Sequence, residues 1–265
     1  MHDASASQAA GLQSIACPAA ARLVAIVHHC ERSDELPLLW ELCAAIAGLG
    51  YSLALLDACS TESGANPGLA QMLECNFGPH DALETTTPWA IYPAAQGLQQ
   101  LQGLGQSPTR TLQQLGALLP GFGVVVLYAP GEVVAWLLAD TGTEPLVVLP
   151  GGGAAMLSAY QALKQLLLDG ALKPTIASLN PDFLPDNPGR LLAPIRTVQA
   201  CAANFLGFSP DATTISCGGN AQSGTAASER LALRLLEGAV QLPTNSTDNG
   251  WQAPDRGDPG FIGAH

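Results

Sequence analysis

Positive charge is the scarcest property of this chain. Ten Lys and Arg stand against 22 Asp and Glu among 265 residues, a formal net charge of −12, and charged residues of both signs make up only 12%. A nucleic-acid backbone is held by clustered cations that displace counterions. No such cluster occurs, which argues against nucleic acid and against stable attachment to an anionic membrane surface. Paired cysteine motifs are missing too. Cys17, Cys30, Cys43, Cys59, Cys75, Cys201 and Cys217 are scattered singly, with no C-x-x-C among them. An odd count without a framework is the pattern of reduced thiols, so a cytoplasmic location is expected. The first residues lack the basic start and apolar stretch of a signal peptide. No apolar run is long enough to span a bilayer.

What the chain has is apolar substance, at 48% of residues, enough for a well-buried core. Strand-like and helix-like segments alternate. Arg22–Val27 is a short apolar run of the kind buried on both faces of a sheet. Leu38, Leu39, Leu42, Cys43, Ile46 and Leu49 then recur at helical spacing, and Gly50 stands where a C-cap glycine belongs. Further strands are read at Ser52–Asp57, Pro88–Pro93, Gly123–Tyr128, Pro145–Leu149 and Lys173–Asn180. Helices are read at Glu132–Ala139, Ala154–Leu168, Ile195–Leu206 and Ser228–Val240. Strands separated by helices of this length need crossover connections. The expected fold is therefore α/β, a mainly parallel twisted sheet with helices on both faces. The expected organisation is an N-terminal arm over 1–19, one α/β domain over 20–242 and a Pro- and Gly-rich flexible tail over 243–265.

Ligands of such sheets bind at the carboxyl ends of the strands, and the first strand-to-helix turn is the usual phosphate cradle. That cradle needs glycines so that N–H groups converge, a lysine for charge and a hydroxyl for Mg²⁺. Here the turn reads His28-His29-Cys30-Glu31-Arg32-Ser33-Asp34-Glu35-Leu36-Pro37, with no glycine, no lysine and three acids. His28, His29 and Cys30 are soft ligand types. Neighbours in sequence rarely converge on one ion without a further ligand from elsewhere, so no metal is expected. The plainer reading is a polar turn that caps the next helix, with Ser33 or Asp34 as N-cap and Pro37 in the first turn. Gly151-Gly-Gly153 reads as a flexible turn, since no cation lies near it. Cys217 reads as packing at a strand end, without a base to make it a nucleophile.

Several of these segments carry a resemblance. Ile46-Ala-Gly-Leu-Gly-Tyr51 and Leu55-Leu-Asp-Ala-Cys59 are similar to the L-A-x-L-G-Y helix end and L-L-L-D-A-D strand of the MinD/ParA family of deviant Walker-A ATPases, including its flagellar FlhG branch. Counting back from Leu49-Gly50-Tyr51 keeps the family's spacing without a gap. The resemblance puts Cys30 at the signature lysine, Glu35 at the phosphate-binding lysine and Leu36 at the Mg²⁺-binding Thr. The loop glycines fall on His29, Glu31, Arg32 and Asp34. Asp57 keeps the first acid of D-A-D and Cys59 replaces the second. Leu127-Tyr128-Ala-Pro130 resembles the I-D-T-P strand end, with Tyr128 for its Asp. Trp89–Ala94 with Gly97 resembles V-x-P-A-x-x-G, Ala159–Lys164 resembles D-A-Y-A-L-I-K after Ser158, and Asn180 matches a base-contacting Asn. Ser7–Gln13 resembles the FlhG D-Q-A-x-x-L-R segment, with Gln8, Ala9 and Leu12 retained.

The resemblance implies a P-loop NTPase architecture without a working site: no catalytic residue, no cofactor and no ATP-driven membrane cycling. It implies action through protein contacts in flagellar assembly, number or placement. The implied partner is the flagellar signal-recognition-type GTPase FlhF or another MinD-like protein. The arm around Gln8–Ile15 equally admits packing on its own domain. The alternative function is an enzyme or small-ligand sensor with a new site at the vacated cleft, drawn from His28, His29, Cys30, Cys59 and Tyr128.

Overall fold

The computed structural model of the chain describes residues 20–75, 88–150, 153–181, 188–217 and 221–243. The strands are β1 (Arg22–His28), β2 (Leu53–Asp57), β3 (Ala90–Pro93), β4 (Val124–Pro130), β5 (Leu146–Leu149), β6 (Thr175–Pro181), β7 (Ala212–Cys217) and β8 (Val240–Gln241). The helices are α1 (Arg32–Gly48), α2 (Leu69–Leu73), α3 (Ala95–Gly103), α4 (Pro108–Leu118), α5 (Gly131–Leu138), α6 (Gly153–Gly170), α7 (Pro188–Leu206) and α8 (Ala221–Glu237). The sheet order is β3-β2-β4-β1-β5-β6-β7, all parallel. β8 joins β1 antiparallel, pairing Arg22 with Gln241 and Leu23 with Val240. β5 takes only Ile26 and Val27 on β1.

Successive residues of β1 point to opposite faces, as a strand requires. Leu23, Ala25 and Val27 join one core, beneath α2 to α7. Val24 and Ile26 join the other, beneath α1 and α8. Both faces are therefore apolar, which is why β1, β2, β4 and β5 read as unbroken hydrophobic runs rather than alternating ones. α1 ends as its sequence indicates. Leu49 is its C-cap, and Gly50 follows at φ +89°, a conformation that favours glycine.

Several boundaries differ from the sequence reading. The last helix runs over Ala221–Glu237, so Val240 is not helical. It pairs instead with β1, a tertiary contact that no local periodicity encodes. α7 starts earlier than Ile195 and carries Pro194 inside it. Strand β7 was read only as a strand end at Cys217, and helices α2, α3 and α4 were not anticipated. Pro37 sits in the second turn of α1, not the first. Its missing N–H leaves the Ser33 carbonyl without a helical donor, and both residues lie on the exposed side, where water replaces it.

Candidate functional site

The order of the strands reverses between β1 and β4. The chain leaves β1 toward β2 on one side and leaves β4 toward β5 on the other. Crevices in open α/β sheets form at such a point, beyond the carboxyl ends of the strands. His28 ends β1, Pro130 ends β4, and α1 begins three residues after His29.

A single carboxylate organises the turn between β1 and α1. Glu35 lies in the first turns of α1 and has no exposed surface. Its Oε1 accepts the backbone N–H of His29 at 3.0 Å, the N–H of Cys30 at 3.2 Å and the Cys30 thiol at 3.0 Å. Its Oε2 accepts His28 Nδ1 at 2.7 Å and the Tyr128 hydroxyl at 2.5 Å. Tyr128 Oη is also 2.9 Å from His28 Nδ1. A carboxylate is an acceptor only when ionised, and all five neighbours are donors. Burial acts to raise the Glu35 pKa, but hydrogen bonds from Cys30, Tyr128, His28 and the His29 amide outweigh it, and the net shift is downward.

This arrangement corrects the expected cap. Glu31, in extended conformation, holds the N-cap position without a side-chain bond, while Ser33 and Asp34 are inside the helix. Glu35 folds back to satisfy the turn's N–H groups. Asp34 and Glu35 still put negative charge in the first turns, where the helix dipole favours it.

His29 has both ring nitrogens engaged. Nε2 lies 2.6 Å from the Val148 carbonyl, which only accepts, so Nε2 carries the proton. Nδ1 lies 3.1 Å from Ser158 Oγ on α6. Burial lowers the His29 pKa despite the favourable contacts with Val148 and Glu35.

Beside this cluster, Asp57 at the end of β2 is almost fully buried. It forms an ion pair with Arg32. It also accepts the Ser60 hydroxyl at 2.7 Å and the Cys59 N–H at 3.0 Å. Arg32 donates in turn to Ser60 Oγ at 2.9 Å and stands 6.0 Å from the centre of the Tyr128 ring. A second buried acid, Glu62, accepts the N–H groups of Gln96 and Gly97 at 2.7 and 2.8 Å and so caps α3. Burial and Asp57 push the Cys59 thiol up to about 12. Burial and Glu35 push the Cys30 thiol up as well. Both are therefore protonated near neutrality, the opposite of an activated cysteine nucleophile.

The structure thus brings together Cys30, Glu35, Asp57, Cys59 and Tyr128 around one mouth, with His28 and His29. Leu36 points away from it, partly buried against the core beneath α1. Asn180 lies on β6, paired with Ser216, but its side chain is outside the described set. Gln8, Ala9 and Leu12 also lie outside the described residues, as do Gly151 and Gly152. Cys217 ends β7, at a strand end as read. Sequence reasoning missed Ser60 and Glu62, and read Arg32 and Ser158 only as replacements of family residues. Ser158 carried a signal, since it precedes the Ala159–Lys164 motif. Ser60 stands three residues from Asp57 but in no motif, and the partners of Glu62, Gln96 and Gly97, are far off in the chain.

A polar cavity of about 250 Å³ opens beside the mouth, lined by His28, His29, Glu132, Ser158, Gln161 and Gln165 among others. A larger apolar groove of about 490 Å³ lies between α6 and α7, lined by Met156, Leu157, Tyr160, Val198, Cys201 and Phe205. Among the described residues, no helix is long and apolar enough to cross a membrane.

No protein-family model matches the chain. No characterised protein matches it by sequence. Solved structures do match. Cobyrinic acid a,c-diamide synthase from Mycobacterium smegmatis, with bound ADP and magnesium, is 17% identical, aligning over 84% of this chain and 98% of its own with a TM-score of 0.53. The cell-division protein MinD from Aquifex aeolicus is 13% identical, over 84% and 100%, with a TM-score of 0.50. An ATP complex of Cyanothece McdA is 12% identical, over 80% and 88%, with a TM-score of 0.50. These likenesses show the fold, which is the α/β fold of MinD-type P-loop ATPases.

Proposed function

We propose that this chain is a MinD-like scaffold that neither binds nor hydrolyses nucleotide and acts through protein contacts. The observation that carries the reading is the position of Glu35. Its buried carboxylate takes the N–H groups of the first strand-to-helix turn, the groups that would otherwise face a phosphate. Phosphoryl transfer depends on positioning and on neutralising charge. An acid in that place opposes both, and Arg32, the nearest cation, is engaged by Asp57. Cys30, Leu36, Cys59 and Tyr128 offer no lysine, Mg²⁺ hydroxyl or water-organising acid in compensation.

The protein-contact part is supported by the apolar groove between α6 and α7, where Leu157 and Phe205 are 62% and 76% exposed. Exposed apolar surface of this kind is characteristic of interaction sites. The process is flagellar assembly, number or placement, by the resemblance of Ser7–Gln13 and the motifs behind it, with an FlhF-type GTPase as partner.

Capture of that GTPase by the full chain, with and without ATP, tests the reading. Equal capture in both conditions, lost on removing residues 1–15 or in Phe205→Asp, is the expected result. Capture that requires ATP, or measurable phosphate release from ATP by the purified chain, would overturn it. A second reading, a small-ligand site, is favoured by the polar cavity beside His28 and His29.

A further inference from the structure

Sequence neighbours such as His28, His29 and Cys30 need a further ligand from elsewhere to hold a metal. The fold supplies one. A ring nitrogen of His29, Cys30 Sγ and a Glu35 oxygen all lie within 4.8 Å of one another. Sγ to Oε1 is 3.0 Å and Nε2 to Oε1 is 3.8 Å. Ligand atoms about 2.0–2.3 Å from a tetrahedral Zn²⁺ stand roughly 3–4 Å apart, so the three donors are near coordinating separation, and an ion enters once the His29 ring turns Nε2 off the Val148 carbonyl at 2.6 Å.

We propose that His29, Cys30 and Glu35 form a binding site for a divalent cation of the zinc class. The donor set is an imidazole, a thiol and a carboxylate, the combination that Zn²⁺ takes and that Mg²⁺ and Ca²⁺ do not. Three protein ligands leave a fourth position open, and the polar cavity that His29 also lines adjoins it. That position takes water or a small polar molecule.

The surroundings of His29 fit this use. Ser158 has one hydroxyl proton and three acceptors for it, the Ala154 carbonyl at 3.4 Å, the Ala155 carbonyl at 3.1 Å and His29 Nδ1 at 3.1 Å. When Nε2 binds metal, the ring proton moves to Nδ1 and donates to Ser158 Oγ. The hydroxyl is then free to donate to Ala155, and the chain of bonds is complete. Metal-bound histidines are ordinarily oriented by such a partner on the second nitrogen. The cost is the bond from Nε2 to Val148. Binding is a proton exchange without redox change: the Cys30 S–H bond breaks, its proton leaves to solvent, and a metal–thiolate bond forms. Because the thiol gives up its proton to bind, affinity rises with pH. The inference stands apart from the scaffold reading, since a nucleotide-free mouth does not require an ion.

The test is titration of chelator-treated full chain with Co²⁺, followed by displacement with Zn²⁺. The expected result is one equivalent of Co²⁺ giving a thiolate-to-cobalt charge-transfer band in the near ultraviolet, which Zn²⁺ abolishes. The band disappears in Cys30→Ser and persists in Cys59→Ser and Cys75→Ser. Affinity for Zn²⁺ falls at least about tenfold in His29→Gln. Calorimetry of the wild-type chain in two buffers of different ionisation enthalpy reports proton release on Zn²⁺ binding, and it needs no variant to fold. No charge-transfer band, a band that survives Cys30→Ser, or binding without proton release would each overturn the site.

Discussion

Glu35→Ala is the perturbation with the largest calculable consequence. In the native chain five donors share the Glu35 carboxylate, none of its surface is exposed, and its pKa is lowered by them. Alanine removes the acceptor and leaves the donors. A buried donor stranded in this way costs about 1–3 kcal/mol. The amides of His29 and Cys30 and the Tyr128 hydroxyl are the three that matter most, since His28 is in contact with solvent. Allowing for relaxation and water entry, the loss is about 3–5 kcal/mol, the range for breaking a buried charge pair. For a domain of this size that lowers Tm by roughly 6–20 °C. The variant should also recover stability in formate, which fits the vacated space and carries the same acceptor atoms. At a formate concentration about 100 times its Kd the gain is about 2.7 kcal/mol. Thermal and urea denaturation of both proteins, with formate against chloride at equal ionic strength, measures both quantities. A variant within about 1 kcal/mol of wild type, indifferent to formate, would refute the claim that Glu35 is the anion of this turn.

Other outcomes follow from the same contacts. Acid should weaken the fold in two stages. The His29 pKa is below the ordinary 6.5 and the Glu35 pKa is below the ordinary 4.5, so in each case the unfolded chain binds the proton first. Stability is lost as pH falls below 6.5 and again below 4.5, read by urea titration across pH 3–8. Asp57→Ala should cost about 2–3 kcal/mol because it strands Ser60, the Cys59 amide and Arg32. Arg32→Ala should cost about 1 kcal/mol, since the guanidinium is 40% exposed and water replaces it. Gly97→Ala should cost about 1–3 kcal/mol by denaturation, because its Cβ would stand 2.6 Å from Leu69 Cγ and 2.8 Å from the Ala70 nitrogen. Glu35→Lys should not create nucleotide binding, because the ammonium would face donors on every side.

The sheet was legible where strands are buried on both faces. Arg22–Val27, Gly123–Tyr128 and Pro145–Leu149 contain little but apolar side chains, and the fold demands that of them. β7, Ala-Thr-Thr-Ile-Ser-Cys, lies beyond β6 at the far end of the sheet and buries Ile215, so its sequence shows no such run. β8 is two residues long and exists only through its pairing with β1. α3 buries Leu98 and Leu101 within a run of glutamines, too sparse a stripe to read. The mouth was half legible. Gap-free spacing put Cys30, Glu35, Asp57, Cys59 and Tyr128 in register with the family's motifs, and in the structure Cys30 and Tyr128 bond Glu35 while Asp57 bonds the Cys59 amide. That Glu35 turns inward, rather than capping its helix from the surface, depends on Tyr128 and His28, which come from strands that only the sheet brings together. Arg32 was read as a lost glycine, although its distant partner Asp57 gives it a role of its own.

Calorimetric titration of the purified chain with ATP, ADP and GTP, each with Mg²⁺, tests the central claim most directly. The account predicts no saturable heat for any of the three, in wild type and in Glu35→Lys alike. Saturable binding of any one to the wild-type chain with micromolar Kd would mean that the Glu35 carboxylate yields its place to a phosphate, and would contradict it.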